Sequence, residues 1–270
     1  MSPTQEKKEN TQVIIKQLFY KNREVYGSPR IKRELDKKKI FLAEKTVANY
    51  MRELGLSASI PFKYKTTTNS NHDHPIYPNL LMRNFNTDAP NLVWVADITY
   101  IWTREGWLYL ATVMDLFNRK IVGFNIDSTL STELPLLALQ RALTLRSPDE
   151  GLIHHSDQGS QYASKDYVDL LKEKHCKISM SRRGDCYDNA CIESFHSTIK
   201  KELIYRKRFV TRDEAKMAVL EYIVSFYNEK RIHSTLNYLS PNDFEKKYLI
   251  SKENNAQQTP ATFVEEQLSF

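Results

Sequence analysis

Residues 92–102, LVWVADITYIW, leave this chain few choices of fold. A run so dense in β-branched and aromatic side chains reads as a strand covered on both faces, which requires layers above and below one sheet. Asp97 stands in its middle. An unpaired carboxylate there costs on the order of several kcal/mol, so it has to meet a cation, a donor or a metal.

The following segments supply the rest of a sheet. Arg104-Glu105-Gly106 turns into a second strand, Trp107–Asp115, and Phe117-Asn118-Arg119 turns into a third, Lys120–Ile126, giving an antiparallel meander. Thr129–Leu145 has helical period, Gly151–His155 is a short strand, Tyr162–His175 is a helix, and Lys177–Met180 is a last strand. Thr211 with Glu214 forms a capping box that opens a helix reaching Phe226. Three strands, helix, strand, helix, strand, helix is the order of an α/β, ribonuclease-H-like fold: a mixed five-stranded sheet with flanking helices. It is expected over residues 87–250, with a loose polar tail at 251–270.

Asn189–Leu203 reads as a helix capped near Asn189, with Ile192, Phe195, Ile199 and Leu203 on one stripe and Glu193, His196 and Lys200 on the next. In a ribonuclease-H-like fold the first strand, the fourth strand and a following helix meet at one point. Asp97, Asp157 and Glu193 occupy those elements. Three carboxylates on separate elements repel one another unless cations share them. Magnesium suits such a set, with manganese as a substitute, and two ions per site can serve phosphodiester displacement. The spacing of Asp157 and Glu193 is weak evidence by itself in a chain with 33 acidic residues.

Charge is unevenly placed. Of a net +6, residues 1–85 carry 16 Lys and Arg against 8 Asp and Glu, and the remainder carries 23 against 25. A basic front on a nearly neutral body implies a polyanionic partner. That front reads as three short helices, about 11–25, 29–38 and 42–54, with Gly27-Ser28-Pro29 opening the second and Gly55 stopping the third. This is an all-α helix-turn-helix pattern over residues 1–56. Its candidate DNA contacts are Arg30 and Arg33 on the second helix and Lys45, Asn49 and Arg52 on the third. Residues 57–86 read as a linker, in which Lys63, Tyr64 and Lys65 are weaker phosphate candidates. No apolar run approaches a membrane span and the first residues lack a secretory apolar segment, so a cytoplasmic location on DNA is expected. Cys176, Cys186 and Cys191 lack zinc-site spacing and are expected to be reduced thiols.

WVADITYI around Asp97, HHSDQGSQY around Asp157 and SRRGDCYDNACIESFHSTIKKEL around Glu193 resemble the DDE transposase and retroviral integrase superfamily, most of all OrfB, the catalytic chain of bacterial two-reading-frame insertion sequences. VMDLFNRKIVGF, FYNEKRIHSTLNYLSPNDF and YGSPRIKRELDKKKIFLAEKTVANYMRELGL are similar to the same family, so the likeness spans about residues 20–247. The resemblance implies that Asp97, Asp157 and Glu193 are a metal-binding catalytic triad and that Lys200 is the basic residue seven positions after the glutamate. It implies cleavage at terminal inverted repeats and strand transfer by the freed 3′ hydroxyl. It also implies a homo-oligomer on the DNA ends and a first-frame partner carrying a further helix-turn-helix and a leucine zipper, neither of which is evident in this sequence. A nuclease or resolvase of the same fold and a non-catalytic DNA-binding descendant are the alternatives. His196 is a further candidate DNA contact, and Arg182, Arg183, Arg231 and His233 are unranked candidate contacts to the DNA backbone. Asp115, His154 and His155 read as structural, and Gln158 and Gly159 as shaping the loop that holds Asp157.

Overall fold

The computed structural model describes residues 2–58, 75–182 and 185–258, apart from the side chains of Cys186 and 256–258. Arg183, Lys63, Tyr64, Lys65 and residues 259–270 lie outside them.

Three helices come first: α1 (Pro3–Lys21), α2 (Ser28–Lys37) and α3 (Glu44–Glu53). Ile15, Leu18 and Phe19 pack against Ile31, Leu35, Val47 and Met51, the apolar stripes of three amphipathic helices closing on one another. Gly55 ends α3 at φ +66°, a left-handed conformation that glycine adopts without the strain of a Cβ. Helix α2 starts at Ser28 with Gly27 as its cap, so Ser28 is not the capping side chain.

The body follows the expected order: β1 (Val93–Thr103), β2 (Gly106–Asp115), β3 (Ile121–Asp127), α4 (Glu133–Arg146), β4 (Ile153–Ser156), α5 (Lys165–Glu173), β5 (Lys177–Met180), α6 (Ala190–Glu202), α7 (Arg212–Glu221) and α8 (Pro241–Gln258). The strands form one five-stranded sheet in the order β3-β2-β1-β4-β5, antiparallel through the meander and parallel across β1, β4 and β5. Two layers cover it, as the doubly apolar first strand demands. Trp94 and Ala96 face α4 and α5 with Leu139, Ala142 and Tyr167, whereas Val93, Val95 and Ile101 face α6 and α7 with Ile192, Phe195, Ile199 and Val219. Gly123 lets β3 approach α4, since a Cβ there would stand 2.3 Å from the Ala138 carbonyl oxygen.

Residues Tyr222–Tyr227 continue α7 as a π-helical turn that buries Tyr222, Ile223, Phe226 and Tyr227 together. Next to it, the Asn228 side chain accepts from the Ile121 amide at 3.0 Å and donates to its carbonyl at 2.9 Å, completing the edge of β3. The expectation of a loose tail from Ser251 is corrected as far as Gln258: α8 continues without a break, because no Gly or Pro interrupts SKENNAQQ.

The helical front rests on the body. Tyr26, fully buried, donates to the Lys230 carbonyl at 3.3 Å and accepts from the Ile232 amide at 2.9 Å. Arg206 donates to the Arg23 carbonyl and, at 2.8 Å, to Glu24.

Candidate active site

Alternation along β1 puts Asp97 on the face of Val93, Val95 and Ile101, the face that α6 covers. In the parallel pairing Val93 stands beside Ile153 and Val95 beside His155. The pairing ends there; two residues later come Asp97, still within β1, and Asp157, in the loop just past the end of β4. Asp157 follows β4 directly, and its Oδ1 accepts the Gly159 amide at 2.9 Å; a Cβ on Gly159 would lie 2.9 Å from that same oxygen. Gln158 anchors the loop by donating to the Ser181 carbonyl at 2.9 Å. Both residues thus shape the Asp157 loop.

Glu193 lies exposed in the first turn of α6, close enough for Asp97 to raise its pKa together with the larger effect of burial. Burial lowers the pKa of Lys200, and the charge of Asp97 opposes that shift, so the lysine also lies in reach of this carboxylate. Tyr100 and Tyr162 have raised pKa values, first from burial and then in part from Asp97 and Asp157. Asp97 is thus in electrostatic reach of Glu193 and Lys200. The side chains of Asp97, Asp157 and Glu193 are not gathered into a ligand cluster: among the described residues no three His, Cys, Asp or Glu side chains stand close enough to hold a metal ion.

His196 is buried, not presented to DNA. Its Nδ1 stands 3.2 Å from Asp97 Oδ2 and its Nε2 2.9 Å from Thr112 Oγ1. Nothing local in the sequence marks Thr112; it is the two-residue turn between β1 and β2 that pairs it with Asp97.

Arg182 holds the fully buried Asp188 through two guanidinium hydrogen bonds at 3.0 Å and also pairs with Asp185. Arg83 donates to Asp188 at 2.8 Å and Asn79 at 2.9 Å, and the hydrogen bonds from Arg182 lead the causes that hold this carboxyl well below the usual range. The loop ahead of α6 is thus braced onto residues 79–83. Asn189 does not cap α6 with its side chain; its amide donates to the Ala96 carbonyl at 3.2 Å, one residue before Asp97.

Of the helix-turn-helix candidates, Lys45, Asn49 and Arg52 are exposed on one face of α3. Arg30 and Arg33 are turned to intramolecular partners. The Arg30 guanidinium lies over the Tyr26 ring at 5.4 Å and 3.8 Å from Glu202, and Arg33 stacks over Tyr238 at 4.5 Å. Arg231 is buried against Glu202, and His233 packs edge-on to Tyr227 at 4.9 Å, so both are engaged within the protein. Asp115 is structural as expected, accepting the Asn91 and Phe117 amides at 2.8 and 3.0 Å.

Integrase core domain models match residues 87–186 and 174–241, and an HTH-like domain model matches residues 5–64. The chain is 45% identical over 240 residues to the insertion element IS600 uncharacterized 31 kDa protein of Shigella sonnei, covering 89% of this chain and 88% of that protein. It is 43% identical over 233 residues to the transposase for insertion sequence element IS904 of Lactococcus lactis, covering 86% and 92%. A solved HTLV-2 integrase catalytic core domain in complex with magnesium aligns at 16% identity and a TM-score of 0.46, over 58% of this chain and 98% of that one. On the identity and coverage of the two bacterial relatives, with an integrase core behind an HTH-like front, the chain belongs to the insertion-sequence transposases of the DDE/integrase class, enzymes that act on DNA.

Proposed function

We propose that this transposase cuts one strand at each terminal inverted repeat of its element and joins the freed 3′ hydroxyl to target DNA, with Asp97, Asp157 and Glu193 as the catalytic, ion-holding residues. What supports this reading is the β1–β4 pairing, which ends at Val95 beside His155, two residues before Asp97 and Asp157, with α6, the helix that carries Glu193, packed over the same face of the sheet. An all-carboxylate donor set fits magnesium, and manganese as its substitute, better than a softer metal. Glu193, exposed on the first turn, has the side-chain length to swing toward the other two. When bound, two divalent ions supply the charge that offsets the negative charge developing on a phosphodiester.

The chain's own residues do the rest. Lys200 holds the DNA backbone beside Asp97. Lys45, Asn49 and Arg52 present donors to a major groove from α3. Arg182, on the loop ahead of α6, and Arg183, next to it in sequence, are further candidate contacts to the DNA backbone. Joining two element ends calls for more than one copy of the chain, and a first-frame partner with its own helix-turn-helix and zipper fits that assembly. Among the described residues no helix is long and apolar enough to cross a membrane; cytoplasmic action on the bacterial chromosome accords with the DNA substrate.

The test is a strand-transfer assay with labelled terminal-repeat DNA and magnesium or manganese. Wild type gives cut and joined product. Asp97→Asn, Asp157→Asn and Glu193→Gln each give more than about a hundredfold less of both, with terminal-repeat binding retained. Cut product without any joined product overturns strand transfer, and full activity in one variant removes that residue from the triad.

A further inference from the structure

We infer that His196 is a positioning residue for Asp97, an inference that rests on the reading of Asp97 as an ion ligand. The ring lies on α6 between the Glu193 turn and Lys200, 5% exposed, with both nitrogens engaged: Nδ1 at 3.2 Å from Asp97 Oδ2 and Nε2 at 2.9 Å from Thr112 Oγ1. Thr112 is fully buried and sits opposite Asp97 in the β1–β2 register; with its hydroxyl donating to Nε2, the neutral imidazole carries its proton on Nδ1, facing the Asp97 carboxylate. A carboxylate on a strand is otherwise free to rotate about its side-chain bonds. Here one oxygen is held by the imidazole and the other accepts the Ile98 amide at 2.7 Å. Each carboxylate oxygen has a second lone pair left for an ion.

A ring that served packing alone would need no donor aimed at a carboxylate. The same bond also ties α6 to β1 one turn after Glu193, so it fixes both the orientation of Asp97 and the height of the glutamate above it. Thr112 orients the imidazole as the outermost member of the relay. Neither His196 nor Thr112 reaches substrate through this arrangement; the histidine acts through the aspartate.

Asparagine at 196 places its amide nitrogen where Nδ1 stands, whereas leucine keeps the bulk and removes the donor. The experiment titrates manganese alone into the full chain and follows free ion by electron paramagnetic resonance, with terminal-repeat binding measured in parallel. His196→Leu is expected to weaken manganese binding about 10–100-fold with DNA binding unchanged. His196→Asn should remain near wild type, and Thr112→Val should fall between. Wild-type manganese affinity in His196→Leu, or an equal loss in His196→Asn, overturns the inference. If His196→Leu does not fold, a loss in His196→Asn as large as in Thr112→Val overturns it. Asp97→Asn separates the two levels. Unchanged manganese binding there defeats the ligand reading itself, while a loss there with none in His196→Leu defeats the positioning role alone.

Discussion

Glu202 accepts two hydrogen bonds from the Arg231 guanidinium, at 2.8 and 2.7 Å, with the two side chains 10% and 6% exposed. The pair closes the C-terminal end of α6, the helix that opens with Glu193, and Tyr222 adds a hydrogen bond to the same carboxylate at 2.7 Å. Arg30 of the helical front stands 3.8 Å away. One carboxylate therefore joins α6, the segment after the π-helical turn and the helix-turn-helix unit.

Removing Arg231 leaves Glu202 charged in a nearly dry site. Arg231→Ala should lower stability by about 3–5 kcal/mol in urea unfolding. Arg231→Lys should recover only part of it, since a point charge cannot reproduce the two-bond fork.

The basic residues of the front divide by what they touch. Lys45→Ala and Arg52→Ala should weaken terminal-repeat binding and reduce the salt slope by about 0.9 for each phosphate no longer neutralised, without moving the urea midpoint. Arg30→Ala should do the opposite, lowering stability with little change in the salt slope. Gel-shift titrations at several salt concentrations, paired with unfolding curves, distinguish the two groups.

Asp188→Ala frees Arg182 and Arg83 and unties the loop ahead of α6 from residues 79–83. Because both arginines are partly in water, the stability loss should be modest, about 1–3 kcal/mol. Strand transfer should suffer more than stability, because Glu193 begins five residues later. Proteolysis of the 182–189 loop, faster in the variant than in wild type, checks the cause.

Stability should depend on pH through two neutral imidazoles. Burial, then the adjacent His155, takes the His154 pKa down to about 3; burial, then Arg231, Arg30 and Arg119, takes that of His233 down to about 2, against 6.5 for both unperturbed. Between those values the unfolded chain binds more protons than the folded one, so stability falls as pH drops from about 6.5 toward 3. Urea midpoints should decline steadily from pH 7 to 4.5, and His154→Gln should flatten part of that decline. A level profile would contradict neutral, buried rings.

Sequence periodicity carries the element order because the sheet is covered on both sides: the run around Asp97 is apolar in both registers, and α6 shows its buried stripe openly. Asp97 and Glu193 stand out as candidates for the same reason, each being an acid on an element with a strong pattern, and Asp157 because it directly follows a strand. Partners brought together by tertiary packing are not. Arg30 and Arg231 read as solvent-facing cations, since nothing local marks Glu202, 172 positions after Arg30, as the acid that receives both. His196 reads as a surface ligand because its carboxylate partner lies on a strand 99 positions earlier. Thr112 needs the hairpin register, and the helical extension past Ser251 has too little apolar period to announce itself.

Helix α6 meets the acidic region at Glu193 and the helix-turn-helix unit at Glu202. Nine residues of helix separate them, roughly 14 Å. On the proposed function, the distance from the base pairs held by the front to the phosphate being cut is gauged by this stiff rod, so lengthening residues 57–86 should leave the cutting position on the DNA where it was.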